Sequence, residues 1–170
     1  MQFLELAKER YSCRKFLERP VETELVEKII DASILAPTAV NTQNFKIFVM
    51  ASDEAKENLK KTTNYMFGAP NFIVLGAQKN GSWTRSFDKR NFSDVDAAIV
   101  GTHIMMEISD LGLATTWVGY FDAPQLKEIY PQMQEYDLIA LFPFGYAAED
   151  ARPAAGHYKR KSREELVEML

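Results

Sequence analysis

Residues 93–122, SDVDAAIVGTHIMMEISDLGLATTWVGYFD, contain the longest helical pattern of the chain and, directly after it, a strand pattern. Ser93 followed three residues later by Asp96 is a variant of the capping box, which marks a helix start. We therefore expect a helix over about 94–111. Gly112 is a typical residue just beyond a helix end, because glycine adopts the left-handed conformation without a steric penalty.

Helix and strand patterns alternate over the rest of the chain. Further helices are predicted near the start, ending at Arg10, and over about 22–36, 52–61, 122–130 and 162–170. Strands are predicted over 46–50, 72–77, 114–118 and 137–145. This alternation favours a central β-sheet flanked by helices.

Length and composition restrict the class of protein. The 170 residues correspond to one domain, 1–170, and the net charge of −4 argues against coating nucleic acid or an anionic membrane. One cysteine and two histidines exclude a disulfide framework and make a zinc centre improbable, so we expect no metal. No apolar run is long enough to span a membrane, and the start MQFLELAKER lacks a secretory signal. We expect a soluble, cytoplasmic protein.

A basic segment, RYSCRKF (10–16), is the first candidate site. In an extended chain Arg10, Ser12 and Arg14 share one face, because alternate residues point the same way. Two guanidinium groups around a hydroxyl form a compact site for a dianion such as phosphate. The alternative is a solvated basic turn.

Two further segments carry polar or flexible residues. APTAVNTQNF (36–45) places five amide or hydroxyl side chains before a strand, which suits the edge of a heterocycle or, alternatively, an ordinary polar loop. Gly119 permits close approach of a flat ligand, and Trp117 lines either a pocket or the core.

Near the end of the chain, the basic residues Lys159 and Arg160 form part of an anion site or an exposed tail.

Residues 79–92, KNGSWTRSFDKRNF, are polar with interleaved aromatic residues and no periodicity, so we interpret them as a surface excursion.

Taken in order, four motifs resemble the nitroreductase family of flavoproteins. They are R-x-S-x-R-x-F, A-P-[ST]-x-x-N-x-Q, G-L-x-T-x-W-x-G and a closing F-G-Y followed by R-K and an acidic helix. The resemblance extends from about Leu6 to Val167.

The resemblance implies an α+β fold whose homodimer holds FMN at the subunit interface. On the matching motifs, Arg10, Ser12, Arg14 and Arg160, with Lys159 beside them, would hold the phosphate, ribityl chain and pyrimidine end. Pro37, Thr38, Asn41 and Gln43 would reach the flavin from the partner subunit. Backbone N–H groups around Val118 and Gly119, with Trp117 beside them, would meet flavin N5 and O4, and the excursion 79–92 would lie near the substrate pocket.

The function implied is an FMN-dependent oxidoreductase. Electrons from NADH or NADPH would pass through the flavin to an electron-poor small molecule, such as a nitroaromatic or a quinone, in a ping-pong sequence. No amino-acid side chain carries hydride, so no catalytic side chain is assigned. Two alternatives stay open: other flavin chemistry on the same fold, such as reductive dehalogenation or flavin breakdown, and a non-catalytic flavin-binding dimer.

Overall fold

The computed structural model of the chain describes residues 2–170. Its α-helices are α1 (Phe3–Glu9), α2 (Thr23–Ile34), α3 (Asp53–Lys60), α4 (Ser93–Asp110), α5 (Ala123–Ile129) and α6 (Arg163–Leu166). Its strands are β1 (Phe45–Met50), β2 (Asn71–Ala77), β3 (Ala114–Thr115) and β4 (Asp137–Gly145). Short 3-10 turns lie at Ala39–Asn41, Pro131–Met133 and Ala155–Tyr158.

The four strands form one antiparallel sheet in the order β1-β2-β4-β3. In the centre, Ile73 of β2 pairs with Val49 of β1 and with Phe142 of β4. The register between β2 and β4 shifts between Leu75 and Gly76. The predicted α+β class, with a central sheet and flanking helices, is confirmed.

Successive residues of β2 face two separate hydrophobic clusters. Ile73 and Leu75 pack with Ile104 of α4 on one face of the sheet, together with residues of α2. Phe72 and Val74 pack on the other face with residues of α3 and α5. Because strand side chains alternate between faces, a strand buried on both sides reads as the continuous apolar run seen in the sequence.

The predicted cap of α4 is wrong. Phe92 holds the N-cap position, and no side-chain hydrogen bond caps the helix from there. Asn91 Oδ1 instead accepts a hydrogen bond from the Ser93 amide at 3.0 Å. The Asp96 carboxylate accepts one from the backbone amide of Ala39, 57 positions away, at 2.9 Å. A tertiary contact has therefore taken the carboxylate that the local pattern assigned to the helix start.

The strand predicted over 114–118 is shorter in the structure. β3 comprises Ala114 and Thr115, and Val118 joins β4 only through an isolated bridge to Leu141. Between them the Trp117 ring packs into the core, edge-on to Phe142 with ring centroids 5.1 Å apart. The capping predictions at the other helices hold. Ser52 and Asp122 accept hydrogen bonds from amides three residues on, and Ser162 with Glu165 forms a capping box.

α6 ends at Leu166 rather than near the final residue, and the backbone is extended at Val167. Within residues 2–170, none of the helices combines the length and apolar character needed to cross a membrane.

Candidate functional site

The basic segment that follows α1 runs along the β3 edge of the sheet. The Cys13 amide donates to the carbonyl oxygen of Thr115 at 3.0 Å, and the Leu17 amide donates to that of Tyr146 at 2.9 Å. Cys13 is fully buried, with its thiol donating to the Lys15 carbonyl at 3.2 Å. Since successive residues of an extended chain point to opposite sides, Arg10 and Arg14 face away from the core when Cys13 faces into it.

One cavity of about 330 Å³ collects these side chains; we call it the arginine cavity. Its lining residues are Arg10, Ser12, Arg14, Ala154, Gly156, His157 and Arg160. Residues near the start of the chain and residues near its end, far apart in sequence, thus line one cavity. No acidic residue lines the cavity in the described part of the chain. Lys159 is exposed and lies outside the lining, directly before Arg160.

The arginine cavity is electropositive and lacks its own counter-charge. Within residues 2–170, none of its three arginines forms an ion pair with a carboxylate. Arg14 donates to the Ser12 carbonyl oxygen at 3.3 Å, and Arg160 to that of Lys159 at 2.9 Å. Burial, followed by the nearby charge of Arg160, lowers the pKa of Arg10. Like charges held together without a carboxylate fit a phosphate group.

The second candidate segment, residues 37–43, follows α2 and contains a 3-10 turn; we call it the amide loop. Thr38 Oγ1 accepts from the Gln43 amide at 3.0 Å, and Gln43 Nε2 donates to the Asn41 carbonyl at 3.3 Å. Pro37, Asn41 and Gln43 are exposed and Thr38 is half-buried. Side chains that reach the surface on an ordered loop are available to a ligand.

The arginine cavity and the amide loop lie at opposite ends of α4 within one chain. The loop contacts α4 at Asp96, near its N-terminus. Arg10 lies near the other end, where it lines a smaller cavity with Ser109 and Gly112. Ser109 lies thirteen positions after Asp96 on the helix, which corresponds to about 20 Å at 1.5 Å per residue. One copy of the chain does not bring these two predicted halves of the site together.

The third candidate segment, 117–119, begins at the core and ends at open space. Val118 is buried and exchanges two backbone hydrogen bonds with Leu141, each 2.9 Å long. A Cβ added at Gly119 would meet no atom within 4 Å. A Cβ on Gly101 of α4 would lie 2.5 Å from the Trp117 ring, so that ring is fixed in the core. The partly buried Trp117 ring thus packs against the core, and the backbone after it leads to the open space at Gly119.

The arginine cavity also contains residues that sequence reasoning missed. His157 lines it and packs edge-on against Tyr11, with ring centroids 6.4 Å apart. Ala154 and Gly156 supply the wall beside it. These residues lie in or directly before the 3-10 turn Ala155–Tyr158, where neither periodicity nor a motif indicates a contact. Only their position shortly before the basic residues 159–161 marks them.

Comparison with known proteins identifies the family of the chain. Residues 2–169 match the family described as "Putative TM nitroreductase". A solved nitroreductase family protein from Clostridium difficile 630 is 35% identical, with a TM-score of 0.91 over 99% of this chain and 98% of that one.

More distant relatives have similar descriptions. A protein of Methanothermobacter thermautotrophicus described as "Putative NADH dehydrogenase/NAD(P)H nitroreductase" is 25% identical over 88% of this chain and 80% of its own length. A solved structure described as an FMN-dependent nitroreductase, from Clostridium difficile R20291, is 24% identical. It has a TM-score of 0.73 and covers 89% of this chain and 91% of that one.

Proposed function

Because this chain belongs to the nitroreductase family, we propose that it passes electrons from NAD(P)H through FMN to an electron-poor small molecule, such as a nitroaromatic or a quinone. The chain is an oxidoreductase, with FMN as its cofactor and NADH or NADPH as its electron donor. The nature of the acceptor and the ping-pong order are the parts that need a test.

The arginine cavity is the observation that carries this proposal. It combines three guanidinium groups with the Ser12 hydroxyl and has no acidic lining residue. A phosphate monoester would supply the missing negative charge, and arginine binds it through two parallel hydrogen bonds. At Gly119, the empty space beside an exposed backbone fits the edge of a flat ring. The residues present therefore fit FMN.

When bound, FMN supplies the hydride chemistry that amino-acid side chains lack. Arg10, Ser12 and Arg160 would anchor the phosphate and ribityl chain, and Arg14 would extend toward the pyrimidine end. The backbone of 117–119 would fix the ring edge. No side chain is assigned to proton transfer, since solvent can protonate the product.

The site is proposed to be completed by a second copy of the chain. Within one chain the arginine cavity and the amide loop lie at opposite ends of α4, whose residues Asp96 and Ser109 are about 20 Å apart along the helix. In a homodimer, Pro37, Thr38, Asn41 and Gln43 of one subunit would complete the cavity of the other.

Exposed apolar surface supports the dimer. An apolar groove of about 480 Å³ lies between α1, α2 and α4, lined by Phe3, Leu6, Ile99 and Met106 among others. Leu166, Val167 and Met169, in and after α6, are also exposed. Stable dimers commonly bury such surface at the centre of their interface.

The excursion 79–92 is proposed to border the acceptor pocket. It is ordered by a bridge between Thr84 and Asn91 and by edge-on packing of Trp83 against Phe92, with centroids 4.9 Å apart. Phe87 at its tip is 95% exposed.

We further propose a cytoplasmic location, since the buried free thiol of Cys13 suits a reducing compartment.

An anaerobic turnover experiment tests the proposal. Purified protein loaded with FMN is mixed with NADH or NADPH, and bleaching of the flavin absorbance near its visible maximum is followed. A nitroaromatic, a quinone or an iodophenol is then added in separate samples. Bleaching followed by recovery with the nitroaromatic or quinone is expected. Recovery with the iodophenol alone would replace the proposed acceptor class, and absence of bleaching would reduce the protein to a flavin binder.

The dimer is tested separately by sedimentation velocity. At micromolar concentration the FMN-loaded protein is expected to sediment with twice the chain mass of 19.4 kDa. An FMN-loaded monomer would contradict a site shared between subunits.

A further inference from the structure

A buried carboxylate on α4 supports the amide loop. Asp96 is only 2% exposed, and its Oδ1 accepts a hydrogen bond from the Ala39 amide at 2.9 Å. Its Oδ2 is also buried and has no hydrogen-bond partner within residues 2–170. Burying a carboxylate lowers the free energy of unfolding, because the charged group loses its hydration. An apolar side chain of similar size would avoid this desolvation cost. This cost points to a specific role for Asp96.

The loop that Asp96 contacts has an unusual backbone. Val40, Asn41 and Gln43 have φ angles of 47°, 56° and 52°, in the left-handed region that non-glycine residues rarely adopt. For the β-branched Val40 this conformation is particularly unfavourable. Such residues keep that conformation only when surrounding contacts impose it. Ala39, held by Asp96, directly precedes the first of them.

We propose that Asp96 is a positioning residue. By holding the Ala39 amide, it keeps the amide loop in its left-handed conformation and directs Asn41 and Gln43 outward. This inference rests on the proposed function, in which those side chains reach the FMN of the neighbouring subunit. The carboxylate is suited to the task because a charged acceptor makes a stronger hydrogen bond than an amide. The N-terminal end of α4 also favours a negative charge there.

Three variants separate positioning from simple support of the fold. Asp96→Ala removes the acceptor, and Asp96→Asn keeps an acceptor of the same shape without the charge. Asp94→Asn is the matched control, because Asp94 lies in the same helical turn and is exposed.

The first measurement is amide hydrogen exchange on FMN-free protein. The amides of Asn41, Thr42 and Gln43 are hydrogen-bonded within the loop. In Asp96→Ala we expect them to exchange about 10- to 100-fold faster, as loss of a hydrogen bond to a charged group predicts. Amides of β2 should change far less. Asp96→Asn should fall between wild type and Asp96→Ala, and Asp94→Asn should match wild type.

The second measurement is FMN affinity, at a temperature well below the unfolding midpoint of each variant. Asp96→Ala should bind FMN about tenfold more weakly or worse, with substantial recovery in Asp96→Asn. Unchanged exchange in the loop would overturn the proposal. So would equal acceleration in the loop and β2 with unchanged FMN affinity, because that pattern shows a purely structural role.

Two further outcomes are also decisive. If Asp96→Ala does not fold, Asp96→Asn replaces it: faster loop exchange than in Asp94→Asn supports the proposal, and equal rates overturn it. If the wild-type protein does not bind FMN, the proposed function fails. The exchange experiment uses FMN-free protein, so it still decides whether Asp96 holds the loop.

Discussion

Two regions of this chain use arginine in opposite ways. In the first, Arg10, Arg14 and Arg160 converge in the arginine cavity with no carboxylate beside them. In the second, Arg19 lies over the Tyr146 ring, 3.9 Å from its centroid, and donates to Glu22 Oε1 at 2.8 Å. We call the first the open region and the second the closed region.

The closed region satisfies its own polar groups. The Tyr146 hydroxyl donates to Glu22 Oε2 at 2.6 Å, so both carboxylate oxygens of Glu22 are used by neighbours in the same chain. Hydrogen bonds from Tyr146 and Arg19 lower the pKa of Glu22 to about 2. In the open region the three arginines have no carboxylate partner within residues 2–170. From this difference we expect an arginine paired within its own chain to act on stability, and an unpaired arginine in the cavity to act on binding, as proposed above.

The same contrast applies to two glycines. A Cβ on Gly101 would lie 2.5 Å from Trp117 Cζ3 and 3.1 Å from Phe142 Cζ, whereas a Cβ on Gly119 would meet nothing. The absence of a Cβ at Gly101 therefore lets α4 pack closely against the Trp117 and Phe142 rings, so its role is in packing. The space beside Gly119 is not filled by this chain, so it is open to a ligand.

The largest expected effect concerns Arg10. Arg10→Ala should weaken FMN binding roughly 10- to 150-fold, because a charge-assisted hydrogen bond contributes about 1.5–3 kcal/mol. Arg19→Ala removes the same charge from the closed region and should leave FMN affinity unchanged. Isothermal titration of FMN into both FMN-free variants measures this. Equal losses in the two variants would mean that general positive charge, and not the arginine cavity, binds the cofactor.

The glycine pair gives the next largest effect. Gly101→Val should destabilise the protein by about 1–3 kcal/mol, since overpacking a core forces neighbouring side chains out of place. Gly119→Val should leave the unfolding of FMN-free protein nearly unchanged and weaken FMN binding. Denaturant unfolding and FMN titration of both variants separate the two effects. Wild-type FMN affinity in a folded Gly119→Val protein would remove 117–119 from the ring site.

How far the sequence predicts this molecule depends on the range of the interactions involved. The apolar run of β2 and the caps at Ser52 and Asp122 are local features, so their predictions agree with the structure. Local patterns do not indicate that Arg10 and Arg160, which are far apart in sequence, lie close together in the fold. Their proximity is expected only from the order of the motifs that resemble the nitroreductase family.

Asp96 and Trp117 could not be predicted in this way. The local pattern assigns Asp96 to a helix cap, but a loop 57 positions away binds its carboxylate. The Trp117 ring packs into the core only because Gly101 leaves space for it, and this contact between distant residues is visible only in the folded structure. His157 lines the arginine cavity from the 3-10 turn Ala155–Tyr158, a segment that has no periodic signal in the sequence.

A third prediction tests whether the open region is uniform. Arg10 is half-buried and Arg14 exposed, although both line the arginine cavity. If Arg14 extends toward the pyrimidine end, Arg14→Ala should lower the midpoint potential of bound FMN by about 30 mV, equivalent to about 1.4 kcal/mol. A nearby cation stabilises the reduced, negatively charged flavin more than the oxidised one. Arg10→Ala at saturating FMN should leave the potential nearly unchanged. Equal potentials in wild type and Arg14→Ala would place Arg14 at the phosphate.

The smallest expected effect concerns the closed region and its dependence on pH. Glu22 has a folded-state pKa of about 2, below the usual value near 4.5, so its ionised form favours the folded state. That contribution is fully present above about pH 5 and is lost as pH falls from there toward 2. Because Glu22 is exposed, we expect Glu22→Gln to lower the Tm at neutral pH by only about 1–3 °C.

The difference in Tm between wild type and Glu22→Gln should shrink as the pH is lowered from 5 to 2, because protonation of the wild-type carboxyl then removes the same interaction. Thermal unfolding of FMN-free protein across this range measures it. FMN affinity at pH 7 should be the same in both proteins, since the Glu22 carboxylate is used by Arg19 and Tyr146. A Tm difference that stayed constant with pH would mean that the charge of Glu22 stabilises nothing. A change in FMN affinity would mean that the closed and open regions are coupled, and the separation drawn between their arginines would fail.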